Sequence, residues 1–301
     1  MEKLAHCPVC NATVFAPFLT VKDNVVSHET FTINTCSSCG FKFTNPRPDE
    51  HEIGRYYESE EYIYHSNKKQ GIFLRAFHVV REIAIKNKLN RINKLTPGAS
   101  TGSATGAILD YGCGTGEFLS ACKQNGWLTK GIETSPSARK HAIEKFGLDV
   151  EDLPAFAGLE KNKYDIITLW HVLEHVHRLD ETLATLASLL KPTGHLLIAV
   201  PNCSSADAKH YGVNWAAYDP PRHLYHFTPA DMEKLMAKHG LKVQKYIPLP
   251  FDAFYVSLLS ERFKTGKMNY LSGVWNGLIS NLSKGADSSK TSSITYQISK
   301  K

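Results

Sequence analysis

The run Ile108-Leu109-Asp110-Tyr111-Gly112-Cys113-Gly114-Thr115-Gly116 constrains this chain more than any other stretch. A short apolar strand delivers the backbone into a loop with glycine at every second position, and a helix, Glu117 to Cys122, follows at once. Glycine tolerates positive φ and lets a ligand come close to the main chain. The helix start then offers N–H groups to that ligand. The spacing is G-x-G-x-G and not the G-x-G-x-x-G of dinucleotide-binding folds, which disfavours a nicotinamide or flavin cofactor. A glycine loop alone also fits a plain tight turn, so the residues after it decide.

Glu133 lies 21 residues beyond Gly112 and closes a second strand, Leu128 to Glu133. An acid at that place can accept hydrogen bonds from both hydroxyls of a ribose. Tyr164 to His171 and Gly194 to Pro201 read as two further strands. In this order the segments resemble the class I S-adenosylmethionine (SAM)-dependent methyltransferases, over roughly residues 106–250. The resemblance implies an α/β fold with a Rossmann-like seven-stranded sheet that binds SAM at the carboxyl ends of its first strands. It implies that Asp110 and the loop Gly112, Cys113, Gly114 and Gly116 cradle the methionine portion, and that Glu133 holds the ribose. Asp152 best matches the acid that holds the adenine amino group, with a helix N-cap as its plain alternative. Leu241 to Ile247 and Ser292 to Ile298 read as the sixth and seventh strands, the last antiparallel. Residues 251–283 form a helical insertion that could cover the substrate cleft.

Four of the seven cysteines stand as Cys7-x-x-Cys10 and Cys36-x-x-Cys39. Two such pairs, each a tight knuckle aiming two thiolates at one ion, predict a closed, structural four-cysteine zinc site. Disulfides and a redox pair are the alternatives, disfavoured by compartment and by the duplication. The expected organisation is a small zinc-ribbon-like module over 1–48, a helical connector and flexible linker over 49–105, and the methyltransferase domain over 106–301. Residues 71–95 read as a basic amphipathic helix, with Lys86, Lys88, Arg91 and Lys94 on its polar side. Such a helix could meet anionic lipid or nucleic acid, but packing on its domain with a solvated face is the simpler reading. The chain has no run of about 18 apolar residues and no apolar signal core, so a cytoplasmic protein is expected. A net charge of +6 permits an anionic substrate without requiring nucleic acid.

Methyl transfer from a sulfonium asks mainly for in-line positioning, with a general base where the acceptor is a hydroxyl or carbon acid. Alone, His171-Val172-Leu173-Glu174-His175 matches a zinc-protease pattern, but it follows a Rossmann-type strand. It looks like the E-x-x-E-H segment of ubiquinone-type O-methyltransferases and small-RNA 2′-O-methyltransferases, where acids and histidine can hold a divalent ion. Here His171 replaces the first acid, so the expected role of His171 is to line the cofactor pocket, with Glu174 and His175 fixing local structure. Arg222-His223-Leu224-Tyr225-His226-Phe227-Thr228 resembles a segment of nucleotide-sugar C-methyltransferases, which also carry a four-cysteine module. That resemblance makes His223 the candidate base, with Tyr225 and Arg222 beside it. Arg222 stands where that family has Glu, and could grip a carboxylate or phosphate of the acceptor. A small-molecule acceptor (sugar nucleotide, glycan precursor or quinone-like metabolite) is the preferred reading. An RNA methyltransferase gripping nucleic acid with its zinc module is less favoured, because that module holds few bases. A non-catalytic SAM-fold binding module is disfavoured by the intact loop and Glu133.

Overall fold

A computed structural model of the chain describes residues 1–57, 72–96, 106–283, 285 and 287–301. The linker expected before Gly106 and most of the connector before Ile72 lie outside the described residues. The main sheet has seven strands: β4 (Ala107–Tyr111), β5 (Leu128–Ile132), β6 (Val150–Glu151), β7 (Tyr164–Trp170), β8 (Leu190–Pro201), β10 (Leu241–Pro248) and β11 (Ser293–Lys300). Their order across the sheet is β10-β11-β8-β7-β4-β5-β6, and β11 alone runs antiparallel to its neighbours. All five residues of β4 are buried, which fits a central parallel strand covered on both faces. Strand β8 starts at Leu190, earlier than the expected Gly194, because its pairing with β7 shifts register between Tyr164 and Ile166.

Helices cover both faces, and alternation along the strands sends neighbours to opposite cores. Ile108, Ile166 and Leu197 pack with helices α1 (Ile72–Leu95), α2 (Glu117–Gln124) and α3 (Pro136–Phe146). Leu109, Ile167 and Leu196 pack on the other side with α4 (Leu179–Leu189) and α6 (Pro229–Lys238). Between those two helices in sequence lies the short α5 (Ala206–Tyr211). Helix α6 starts as expected, with Thr228 as N-cap, Pro229 in its first turn and a capping box closed by Asp231. The insertion is a pair of helices, α7 (Pro250–Thr265) and α8 (Tyr270–Ser283). No helix among the described residues is long and apolar enough to cross a membrane.

The N-terminal strands β1 (Phe15–Lys22), β2 (Thr30–Cys36) and β3 (Lys42–Thr44) form a second sheet. Its fourth strand is β9 (Tyr225–His226), contributed by the far end of the chain. Cys7, Cys36, Phe41 and Phe43 belong to the same buried cluster as Leu109 and Ile167. The module expected over 1–48 is therefore continuous in sheet and core with the methyltransferase fold.

Candidate functional site

The glycine loop leaves β4 and turns into α2. Gly112, Gly114 and Gly116 all have positive φ, at 76°, 55° and 86°. A Cβ on Gly112 would stand 2.5 Å from Val172 Cγ2, so this glycine lets the segment after β7 lie against the loop. Gly114 has open space beside it, and its left-handed backbone is what favours glycine there. Its N–H donates to Glu133 Oε2 at 2.8 Å, and Ser135 N donates to Oε1 of the same carboxylate at 2.8 Å. Glu133 thus ties the ends of β4 and β5 together, with lone pairs left for a sugar. Asp110 is buried and accepts from Thr168 Oγ1 at 2.5 Å. Burial raises its pKa to about 6, against the opposing effects of Thr168 and the Lys88 ammonium. Cys113 donates its backbone N–H to Ile132 O at 3.1 Å, and its sulfur fills the space over Gly131. Asp152 is exposed at the N-cap of the turn Leu153–Gly158, and its side chain makes no capping bond.

After β7 the chain passes through His171, which has a left-handed φ of 56°. The ring lies between two acids, with Nδ1 3.4 Å from Glu174 and Nε2 3.0 Å from Asp252 of α7. Burial alone would lower the pKa of this imidazole. The two carboxylates, Asp252 foremost, outweigh it and raise the value to about 10. His171 is therefore a cation that fastens the insertion to the loop after β7. Sequence reasoning missed Asp252, because a lone acid in an aromatic-rich helix carries no motif.

Glu174 is fully enclosed, and apart from the His171 ring 3.4 Å away its carboxylate meets no hydrogen-bond donor among the described residues. Its carboxylate, His175 and His223 bring one ligating atom each to within 4.8 Å of one another. The His223 Nδ1–H donates to Ala217 O at 2.8 Å, and that of His175 donates to Arg222 O at 2.9 Å. A carbonyl can only accept, so in both rings the lone pair is on Nε2. Burial, then the neighbouring His223, pulls His175 down to about 4, which keeps it neutral. One carboxylate oxygen and two imidazole nitrogens suit a divalent cation. Carbonyls fixing the far nitrogens are the usual support of such a site. Glu174 and His175, expected only to fix local structure, thus meet His223 across 48 residues of sequence.

Arg222 and Tyr225 depart from their expected roles. The Arg222 side chain is completely buried. Its guanidinium donates to both Asp219 oxygens at 2.5 and 2.9 Å, to Asp23 Oδ1 at 2.9 Å and to Tyr56 O at 2.9 Å. The carboxylates it grips are the chain's own, so it cannot reach an acceptor's anion. Tyr225 is buried in β9, where its hydroxyl accepts from Arg47 at 2.9 Å and donates to His177 O at 3.0 Å. It pins the N-terminal sheet to the main fold and faces no cleft. Thr44 Oγ1 donates to His223 O at 2.9 Å, so the same sheet fixes the backbone of the candidate base.

In the cysteine module, Cys7 Sγ lies 3.6 Å from Cys39 Sγ, and Cys10 Sγ lies 3.5 Å from Cys36 Sγ. A tetrahedron with Zn–S bonds of about 2.3 Å has edges of about 3.8 Å, so the four sulfurs fit zinc. The two knuckles match. Asn11 N donates to Cys7 O and Gly40 N to Cys36 O, both at 2.9 Å, and both donors have positive φ.

Residues 81–246, more than half of the chain, match the family model described as a methyltransferase domain. The ubiquinone biosynthesis O-methyltransferase of Pectobacterium atrosepticum is 30% identical over 205 residues, covering 61% of this chain and 82% of its own length. That of Nitrosococcus oceani is 29% identical over 182 residues, covering 54% and 74%. Among solved structures, a SAM-dependent methyltransferase of Thermotoga maritima, titled a possible histamine N-methyltransferase, superposes with a TM-score of 0.52 at 18% identity, covering 82% of this chain and 98% of that one. Magnesium protoporphyrin IX methyltransferase from Synechocystis, with bound SAH, does so with a TM-score of 0.51 at 16% identity, covering 66% and 92%. At those identities the likeness shows the fold. With the family match, the strand order and the glycine loop tied to Glu133, the chain belongs to the class I SAM-dependent methyltransferases.

Proposed function

We propose that this methyltransferase acts in the cytoplasm on a small-molecule acceptor, with His223 as the general base and a structural zinc on Cys7, Cys10, Cys36 and Cys39. The observation that carries the reading is the state of His223. Its Nδ1 proton is held by Ala217 O, so Nε2 is ready to take a proton from an acceptor hydroxyl or acidic carbon. The loop from Gly112 to Gly116, Glu133 and Asp110 would orient SAM so that its methyl meets that nucleophile in line, and Asp152 would hold the adenine. Curated relatives named for ubiquinone biosynthesis support a small acceptor over RNA.

The convergence of Glu174, His175 and His223 favours a second reading, in which these three side chains hold a divalent cation. Such an ion, when bound, would lower the pKa of an acceptor hydroxyl, and His223 would then be a ligand instead of a base.

A radiolabelled-SAM screen across sugar nucleotides, quinones and RNA tests the acceptor class, and label found only in RNA would refute it. Chelation separates the two roles of His223. Turnover that survives chelator supports the base. Turnover lost with chelator and restored by Mg2+ or Mn2+ supports the ligand.

A further inference from the structure

Helix α1 lies on the same face of the sheet as α2, and its basic side was expected to be a solvated surface. Part of it is instead turned inward. Between α1 and the outer strands β10 and β11 runs a cavity of about 610 Å³, within the range of small-molecule sites. Four cations line it: Lys88, Arg91 and Lys94 from the helix, and Lys245 from β10. Among the described residues none of the four has a carboxylate at ion-pair distance, whereas Arg81, about two turns before Lys88, is paired with Glu117 at 2.6 Å. Among the described residues Asp252 is the one acid in the lining, and His171 already holds it.

Trp170 and Thr295 belong to the lining, although Trp170 Nε1 and Thr295 Oγ1 are themselves sealed from it. Thr295 as a whole is 1% exposed. Four basic side chains around one cavity, none with a carboxylate at ion-pair distance among the described residues, describe a place for a ligand rich in anionic oxygen. One end of the cavity approaches the cofactor loop. His171 belongs to its lining, and the next residue, Val172, packs on Gly112 of the cofactor loop. Lys88 marks the same junction. Its ammonium lies 4.2 Å from the centre of a Trp170 ring, and both Asp110 and Asp252 attract it.

We propose that this cavity holds the phosphate-bearing part of the acceptor, a small molecule ending in a phosphate or pyrophosphate. Arg91, Lys94 and Lys245 bind the anionic oxygens, and the end near His171 presents the atom to be methylated. This rests on the small-molecule reading of the function and names the chemistry of that molecule.

The test is calorimetric titration of the full chain with inorganic pyrophosphate, uridine diphosphate and geranyl diphosphate, with SAM titrated in parallel. Saturable pyrophosphate binding is expected, weakened about tenfold or more in Arg91→Gln/Lys245→Gln while SAM affinity holds. Tighter binding of one of the two organic diphosphates identifies the source of the phosphate. If the double variant loses SAM binding too, the exposed single variant Lys245→Gln is read instead, with a loss of about threefold expected. Wild-type protein that binds SAM but not pyrophosphate overturns the inference and leaves the methyltransferase reading standing. So does pyrophosphate binding that neither variant weakens. A short single-stranded RNA that binds more tightly than pyrophosphate, through the same two side chains and with steep salt dependence, overturns it in favour of nucleic acid. Failure of the small-molecule reading shows separately, as label transferred only to RNA.

Discussion

Among the described residues, two clusters of side chains could hold a metal ion, and they are built in opposite ways. The four cysteines come as two local pairs, each folded by its own knuckle, and one ion is needed only to join them. Glu174, His175 and His223 come from two distant loops, and nothing local brings them together. The first would stabilise structure by holding zinc, while the second follows Val172, which packs on Gly112 of the glycine loop. They are also mechanically linked, because the sheet that begins in the cysteine module ends in β9, directly after His223. The sheet that carries the cysteine module thus braces the backbone of a candidate base far along the chain.

That linkage can be broken at several points. Cys36→Ser should reduce zinc from one ion per chain to none, read by metal analysis. Structural zinc supplies about 10–16 kcal/mol in small domains, so this is the largest effect expected. Stoichiometric zinc retained by the variant would sink the four-cysteine site. Gly114→Arg should abolish SAM binding in calorimetry, because a side chain at a left-handed position would fill the open side of the loop. Undiminished affinity would remove the loop from the cofactor site.

Arg222→Met leaves Asp23 and Asp219 without their cation and should cost about 3–5 kcal/mol in urea unfolding. A change below about 1 kcal/mol, the value of a surface pair, would mean that the buried network does not brace the segment. Asp23 supplies a pH signature for the same network. Burial would raise its pKa, but Arg222 and the backbone donors outweigh it and lower it to about 2. A depressed carboxylate stabilises the fold above its unfolded value, about 3.9. That stability is lost as the pH falls through about 2. The wild type should show this loss, and Arg222→Met should lack it.

His223→Ala should slow turnover about a hundredfold, the lower end for a general base, with SAM affinity nearly intact. Equal loss of both would make the residue structural. Thr228→Ala removes the cap of α6 and should cost only about 1 kcal/mol, with zinc content unchanged.

Much of the frame is legible in the residues. Ile108 to Tyr111, Tyr164 to Trp170 and Leu196 to Val200 are buried apolar runs bounded by turns, and a central parallel strand admits little else. The glycine loop and the capping box at Thr228 are equally local. The shared sheet was hidden because β9 is two residues long and carries no periodicity. The fate of Arg222 was hidden because a motif names a residue type without naming its partners. Asp23, 199 residues away, decides that this arginine is a buried brace and has no free donor for an acceptor.

The sequence by itself determined the strand order, the methyl donor and the four cysteines, since each depends on spacing within a few residues or along one strand. Only the tertiary structure decided which histidines meet Glu174, that Tyr225 and Arg222 serve the scaffold, and that the basic side of α1 closes over a cavity. Those outcomes depend on contacts across tens to hundreds of residues, where burial and charge pairing choose among partners that no local pattern distinguishes.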